Sequence, residues 1–139
     1  FAGTDGVSLE ASKWAQVLEH EGHTCFWFAG ELERASHKSY LVPTAHFQNK
    51  QNQWINDQVF GQWRRNRHTT DLIHMFRSYI KSQLASFIAK FKIDVLIVEN
   101  ALTIPLHIPL GLALAEIIVE KRLPTIAHHH DFYWERDRF

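Results

Sequence analysis

The stretch IDVLIVEN, residues 93–100, says more about the fold than any other segment of the chain. Its residues are apolar and mostly β-branched from Val95 to Val98, and they then give way to Glu99 and Asn100. An apolar run without polar alternation is typical of a strand covered on both faces in a parallel sheet. The sequence therefore predicts an interior strand with a polar carboxyl end, followed by a proline-containing loop.

Helical periodicity lies on both sides of this strand. Before it, apolar residues recur at every third or fourth position, which predicts a helix from Asp71 to just before Lys92. After it, residues 110–121 are largely apolar and lead into cations, which suit the carboxyl end of a helix. Pro124 breaks this second helix, and the run TIAH at residues 125–128 predicts another strand.

The first thirty residues repeat the same order of elements. A stripe of apolar residues at helical spacing, which includes Trp14, predicts a helix that ends at Gly22. The run TCFWFA, residues 24–29, predicts a further interior strand, and we assign its aromatic side chains and Trp14 to the core. Residues 31–70 show no clear period, so we expect an irregular connection that could hold a short strand or helical turn.

This alternation of helices and strands predicts an α/β fold with a parallel sheet in a single domain of 139 residues. Open parallel sheets bind ligands beyond the carboxyl ends of their strands. Three polar segments are predicted to converge there: the loop AGTDG at residues 2–6, Glu99 with Asn100, and the run HHHD at residues 128–131. Because the loop leads directly into a helix, we also expect an earlier strand ahead of Phe1.

The composition narrows the classes of protein. The chain has 15 basic and 15 acidic residues, so we expect no nucleic acid partner. Its single cysteine, Cys25, excludes an intramolecular disulfide and favours the cytoplasm. We expect no membrane span, because no window reaches the ~18–20 apolar residues that one requires. The basic group Arg64, Arg65 and Arg67 could bind an anion, but we favour a solvated surface.

The loop GTDG predicts a ligand-binding turn. Gly3 and Gly6 allow the backbone to approach a ligand, and the following helix presents free N–H groups to an anionic or oxygen-rich group. Thr4 and Asp5 lie between the two glycines. The spacing does not meet the dinucleotide pattern GxGxxG. The alternative is a strand-to-helix turn that Thr4 or Asp5 caps without any ligand.

The run HHHD predicts a polar site at a strand end. We favour a neutral imidazole, His130, that hydrogen-bonds a substrate hydroxyl or carbonyl while Asp131 orients the loop. The competing hypothesis is a metal site made of His128, His130 and Asp131, since alternate residues of an extended segment share a face. Asn100 could bind the same ligand, or it could only cap its own loop.

Three segments together resemble the N-terminal domain of retaining glycosyltransferases of family 4: GTDGVSLEASKWAQVLEHEGHTCFWFAGE from residue 3, DVLIVENALTIPLHIPLGLALAEII from residue 94, and LPTIAHHHDFYWERDRF from residue 123. Asn100 matches an H-x-N segment of that family, and His130 with Asp131 matches a TxHD segment. The chain departs from the pattern at Asp5, where a paired glycine is usual, and at Glu99. The glycine loop and the "GH" that closes the first helix correspond to Gly3, Gly6, Gly22 and His23.

The resemblance implies a GT-B architecture in which two Rossmann-like domains face each other across a cleft. This chain would be the N-terminal one, a Rossmann-like parallel sheet with helices on both faces, and its first strand and the C-terminal domain would lie outside residues 1–139. The resemblance also implies transfer from a nucleotide-sugar donor to a sugar or sugar-phosphate acceptor with retention of configuration. No cofactor and no metal would be needed, and the domain alone would be inactive.

The family's site residues carry over position by position. The resemblance implies that His130 contacts the transferred sugar near the reacting centre. Substrate binding would fall to the other matched or loop positions, which are Gly3, Thr4, Asp5, Gly6, Asn100 and Asp131. Two other function classes stay open at this point: a binding module for a sugar phosphate or nucleotide without chemistry, and a metal-dependent hydrolase.

Overall fold

A computed structural model of the chain describes residues 1–3 and 5–139. Thr4, one of the predicted substrate-binding residues, lies outside the described residues. Short 3₁₀ helices lie in several of the connections. The main elements, in chain order, are α1 (Gly6–His20), β1 (Trp27–Ala29), β2 (Ser39–Leu41), α2 (Lys50–Val59), α3 (Arg67–Phe91), β3 (Leu96–Glu99), α4 (Ile108–Lys121) and β4 (Thr125–His128).

The strands form two parallel pairs. β1 pairs with β2, with Phe28 opposite Tyr40. β3 pairs with β4, with Val98 opposite Ala127, and α4 makes the crossover between them. Helices and parallel strand pairs are mixed along the chain, which agrees with the α/β prediction, although β1 and β2 follow each other without an α-helix between them. The prediction of one continuous sheet differs from what is seen among the described residues, where the two pairs are separate two-stranded sheets.

The core lies where α3 and α4 pack against β3. Ile80 of α3 and Ile117 of α4 are almost completely buried, together with Leu96 and Val98 of β3. Burying each such side chain contributes about 1.5–3 kcal/mol relative to leaving it in water. At one edge of this interface, Glu116 joins the helices through Arg77 (Nη1 to Oε1, 2.5 Å) and Lys81 (Nζ to Oε2, 2.9 Å). The hydrogen bonds from Lys81 and then Arg77 lower the pKa of Glu116.

The segment that sequence periodicity left unassigned contains a regular helix and a strand. The N-cap of α2 is Asn49, whose side-chain oxygen accepts hydrogen bonds from two backbone N–H groups. The buried face of α2 includes Asn52 and Asn56, and both amides donate to the carbonyl of Leu106. A helix whose buried face is partly polar has no apolar stripe, which is why the sequence did not predict it.

The predicted helix starting at Asp71 begins earlier, at Arg67, because Asn66 caps it: its side-chain oxygen accepts from the backbone N–H of Thr69 at 2.8 Å. The resulting helix, α3, has 25 residues and ends at Phe91, and Lys92 caps it in a left-handed conformation. In the part of the chain that the structure describes, no helix combines the length and apolarity needed to cross a membrane.

Candidate active site

The candidate site is built around Glu99, the last residue of β3. Its register partner on β4 is His128, whose Nδ1 lies 3.0 Å from Oε1 and 2.9 Å from Oε2 of the carboxylate. His130 approaches the same carboxylate, with Nε2 3.1 Å from Oε2. Only 6% of the Glu99 side chain is exposed. One buried carboxylate thus joins the two imidazoles at the carboxyl end of a parallel pair, where such folds bind ligands.

The carboxylate sets the proton positions on both rings. An ionised carboxylate only accepts hydrogen bonds, so Nδ1 of His128 and Nε2 of His130 each carry a proton at these contacts. In the neutral His130 ring, the lone pair is therefore on Nδ1. That nitrogen can accept a hydrogen bond from a hydroxyl in the surrounding cavity.

Asn100 holds the backbone that carries His130. It adopts a left-handed conformation (φ 57°), and its side-chain oxygen accepts a hydrogen bond from the His130 N–H at 2.7 Å. Its own backbone N–H donates to the carbonyl of His128 at 2.9 Å. The side-chain oxygen of Asn100 is therefore used within the chain, as the loop-capping alternative requires, and it fixes the turn between the histidines.

The carboxylate that meets the two histidines is a different residue from the one in the competing metal-site hypothesis. Asp131 pairs with Arg136 and not with the two imidazoles. The three groups whose ligand atoms lie within 4.8 Å of one another are Glu99, His128 and His130. One carboxylate and two imidazoles form a ligand set that suits a divalent ion such as zinc. Sequence adjacency favoured Asp131, whereas the pairing of β3 with β4 selects Glu99.

The middle histidine of the run points elsewhere. Nδ1 of His129 lies 3.1 Å from the hydroxyl of Thr103, which also donates to the carbonyl of Asp131. Thr103 thus holds both the ring of His129 and the backbone beyond it. Alternation along the extended segment places His128 and His130 on the site and removes His129 from it.

Trp14 belongs to the site and not to the core, which corrects the sequence interpretation. Its indole packs against the ring of His128 with centroids 4.7 Å apart, and the rings of His128 and His130 follow at 4.5 Å. Trp14 is 36% exposed. Helical spacing does not distinguish an aromatic residue in the core from one that covers a polar site, and only the position of β4 shows which applies here.

The glycine loop caps α1. Oδ1 of Asp5 accepts hydrogen bonds from the N–H groups of Val7 and Ser8, both at 3.1 Å. Hydrogen bonds from Ser8, first from its side chain and then from its backbone, lower the pKa of Asp5. Gly3 has φ +72° and donates its N–H to the carboxylate of Glu33 at 2.8 Å. Asp5 is thus the N-cap that the alternative interpretation of the loop requires.

A cavity of about 1290 Å³ connects the loop with the strand ends. Asp5, Asn100, His130 and Asp131 all line it, together with Glu99, so the structure brings these predicted residues to one surface. Among the predicted site residues that the structure describes, Gly3 and Gly6 do not line the cavity. The basic cluster is exposed and does not line this cavity: Arg65 contacts Thr70 and Arg67 contacts Asp71.

The chain is similar to proteins named mannosylglucosylglycerate synthase. The match to the protein from Petrotoga mobilis is 27% identical over 137 residues, and the match to the one from Thermotoga maritima is 29% identical over 143 residues. These matches cover 96% and 95% of this chain but 30% of each relative. No family model and no solved structure matches the chain. The similarities support a relationship to glycosyltransferases.

Proposed function

We propose that the chain is the acceptor-side, N-terminal domain of a retaining GT-B glycosyltransferase similar to family 4. The observation that carries the proposal is the Glu99–His128–His130 cluster at the end of the β3–β4 pair, in a chain similar to two named synthases. The reaction moves a sugar from a nucleotide-sugar donor to a sugar or sugar-phosphate acceptor. The relatives' name contains glycerate, which favours an acceptor bearing a carboxylate.

His130 is the catalytic residue of this proposal. Glu99 holds its Nε2–H, which leaves Nδ1 to accept a hydrogen bond from a hydroxyl of the transferred sugar. Asn100 fixes the backbone at the same residue. A ring held at both its nitrogen and its backbone stays in one orientation, so less conformational entropy is lost when the sugar binds. Glu99 acts through His130 and is a positioning residue.

The rest of the chemistry is assigned to the second domain. In this proposal a C-terminal domain of the same polypeptide binds the nucleotide-sugar, and the two domains face each other across the cleft that His130 lines. The reaction needs neither a metal nor a cofactor. Residues 1–139 alone then transfer no sugar, because half of the active site is supplied from elsewhere. Turnover by the isolated chain with any nucleotide-sugar would contradict this arrangement.

The test is replacement of His130 in the full-length enzyme. We expect His130→Ala to reduce turnover about 100-fold or more, in the range that a positioned side chain contributes to proton transfer or sugar orientation. His129→Ala is the matched control, since its ring contacts Thr103 and not Glu99. Circular dichroism checks that both variants fold. Equal losses for the two variants would overturn the assignment of His130.

A metal-dependent hydrolase is the second candidate, and the ligand set of Glu99, His128 and His130 favours it. The two functions are separated by elemental analysis of the protein purified without chelator. The glycosyltransferase proposal predicts less than ~0.1 equivalent of zinc and no change in transfer after treatment with a chelator. One equivalent of zinc that is lost in His128→Ala would favour the hydrolase.

A further inference from the structure

The segment that follows β4, residues 129–139, is held by contacts near both of its ends. Near its start, the hydroxyl of Thr103 donates to the carbonyl of Asp131 at 3.1 Å. At its end, the ring of Phe139 packs on Phe60, the residue that caps α2, with centroids 4.7 Å apart. Between these contacts, Tyr133–Glu135 forms a 3₁₀ turn. The backbone of this segment is therefore held in place, which lowers the entropy lost when one of its side chains binds a ligand.

Arg136 follows this turn directly and lines the cavity that contains His130. The backbone N–H of Arg136 donates to the carbonyl of Tyr133 at 3.2 Å, which fixes the end of the turn. In its side chain, Nη2 of the guanidinium pairs with Oδ2 of Asp131, whose own carbonyl is held by Thr103. The guanidinium is therefore oriented at the cavity wall by a carboxylate that is itself fixed in position.

The pair with Asp131 leaves most of the guanidinium of Arg136 available to a ligand. A guanidinium carries five N–H donors, and its planar fork matches the two oxygens of a carboxylate. In the part of the chain that the structure describes, the guanidinium uses Nη2 alone, and Nε and Nη1 make no hydrogen bond. The side chain of Arg136 is 43% exposed, so a ligand can reach these donors. Arg136 can therefore hold Asp131 and bind a second carboxylate at the same time.

Arg136 is the permanent cation at the reactive end of the cavity. Among the lining residues that the structure describes, the lysines and arginines are Lys92 and Arg136. Lys92 precedes β3, at the amino end of that strand, whereas His130 and Arg136 follow the carboxyl end of β4. The acidic groups near His130 already have partners: Glu99 meets two imidazoles, and Asp5 caps α1. An anionic ligand at this end of the cavity is therefore expected to pair with Arg136.

We propose that Arg136 binds the carboxylate of the acceptor and so selects acidic acceptors over neutral ones. This inference rests on the proposed function, in which the present domain holds the acceptor and a second domain holds the nucleotide-sugar. The guanidinium donates two parallel hydrogen bonds to a carboxylate such as that of glycerate. Asp131 acts through Arg136 and is a positioning residue. Because Arg136 and His130 line one cavity, a single acceptor molecule can be anchored at the first and react near the second.

The test replaces Arg136 in the full-length enzyme and compares two acceptors. Glucosylglycerate carries the carboxylate, and glucosylglycerol carries a hydroxymethyl group in its place. We expect Arg136→Gln to raise KM for glucosylglycerate about 10–100-fold, the range for a lost hydrogen bond to a charged group, and KM for glucosylglycerol less than ~3-fold. Arg136→Lys keeps the charge without the planar fork and should fall between the wild type and Arg136→Gln. Arg138→Gln is the matched control, since Arg138 pairs with Asp57 and does not line the cavity.

The donor and a binding measurement complete the test. A rise of KM for the nucleotide-sugar in Arg136→Gln, with KM for glucosylglycerate unchanged, would overturn the proposal, because the guanidinium would then bind a donor phosphate. Equal losses for Arg136→Gln and Arg138→Gln would also overturn it.

Calorimetry with glucosylglycerate alone separates this inference from the proposed function. A wild type that binds glucosylglycerate at least about tenfold more tightly than Arg136→Gln, yet transfers no sugar, would support Arg136 as the carboxylate anchor and contradict the glycosyltransferase assignment. A wild type that transfers sugar to glucosylglycerate with the same KM as Arg136→Gln would do the reverse. If the wild type neither binds nor glycosylates glucosylglycerate, the inference is wrong.

Discussion

A glutamate beyond β1 and a glutamate at the end of β3 both contact histidine, but their surroundings differ. Among the described residues, the carboxylate of Glu31 pairs with His46 (Oε2 to Nε2, 3.3 Å), and 64% of the Glu31 side chain is exposed. Glu99 contacts two imidazoles, and 6% of its side chain is exposed. Exposed ion pairs are screened by water and contribute little to stability. A buried carboxylate, by contrast, destabilises the fold unless it keeps its hydrogen-bond partners. The same pair of residue types is therefore a surface contact in one place and a candidate active site in the other.

After His130→Ala, the largest effect is expected at the buried carboxylate. In the full-length enzyme, Glu99→Ala should lower kcat about 10–100-fold with little change in KM for the acceptor, because the ring of His130 loses its anchor. Glu99→Gln keeps an oxygen that can accept from Nε2–H, so it should retain most of the turnover. Steady-state kinetics of both variants check this. If both lose turnover equally, the hydrogen bond is not what positions His130.

The second effect concerns Gly30, which allows the β1 region to reach His46. A Cβ at this position would lie 2.2 Å from the backbone nitrogen of His46. Backbone cannot move aside as a flexible side chain can, so Gly30→Ala should reduce the free energy of unfolding by about 1–3 kcal/mol. Gly6→Ala is the control, since a Cβ there meets nothing within 4 Å. Urea denaturation of the two variants measures the difference, and equal stabilities would contradict the close approach.

The third prediction concerns the carboxylate of Asp5 and tests whether the glycine loop serves to cap α1. Asp5→Ala removes the cap of α1 and should cost about 1 kcal/mol at neutral pH. The folded-state pKa of Asp5 is lowered, so the stability that this group contributes is present above its unfolded pKa and is lost as pH falls through the folded value. The difference between the wild type and Asp5→Ala should therefore shrink below about pH 4. Denaturation curves at neutral and acidic pH check this, and a constant difference would argue against the cap.

The smallest effect is expected at the exposed pair of Glu31 and His46. Glu31→Ala should change the free energy of unfolding by less than about 0.5 kcal/mol, because solvent already screens its contact with His46. Turnover of the full-length enzyme should also be nearly unchanged. Denaturant melts and kinetics provide the measurement. A loss comparable with that of Glu99→Ala would show that exposure is not what separates the two regions.

Local patterns were enough to predict most of the regular structure. The helices α1 and α4 and the strands β3 and β4 follow from periodicity, from Gly22 and Pro124 as breakers, and from an uninterrupted apolar run. The helix α2 was missed because Asn52 and Asn56 form part of its buried face and bond a carbonyl fifty or more positions away along the chain. β1 is shorter than the predicted strand, and its three residues are half-buried where they border the cavity.

The sequence by itself determined which polar groups lie at the strand ends, because the position at which an apolar run gives way to Glu99 or to His128 is a local feature. Only the tertiary structure decided which of them meet. The parallel register of β3 with β4 brings Glu99 opposite His128, and α1 lays Trp14 on the same ring. These contacts join residues far apart in sequence, so neither spacing nor periodicity contains them. For the same reason the cavity between β1 and β3 becomes visible only when both strand pairs are folded.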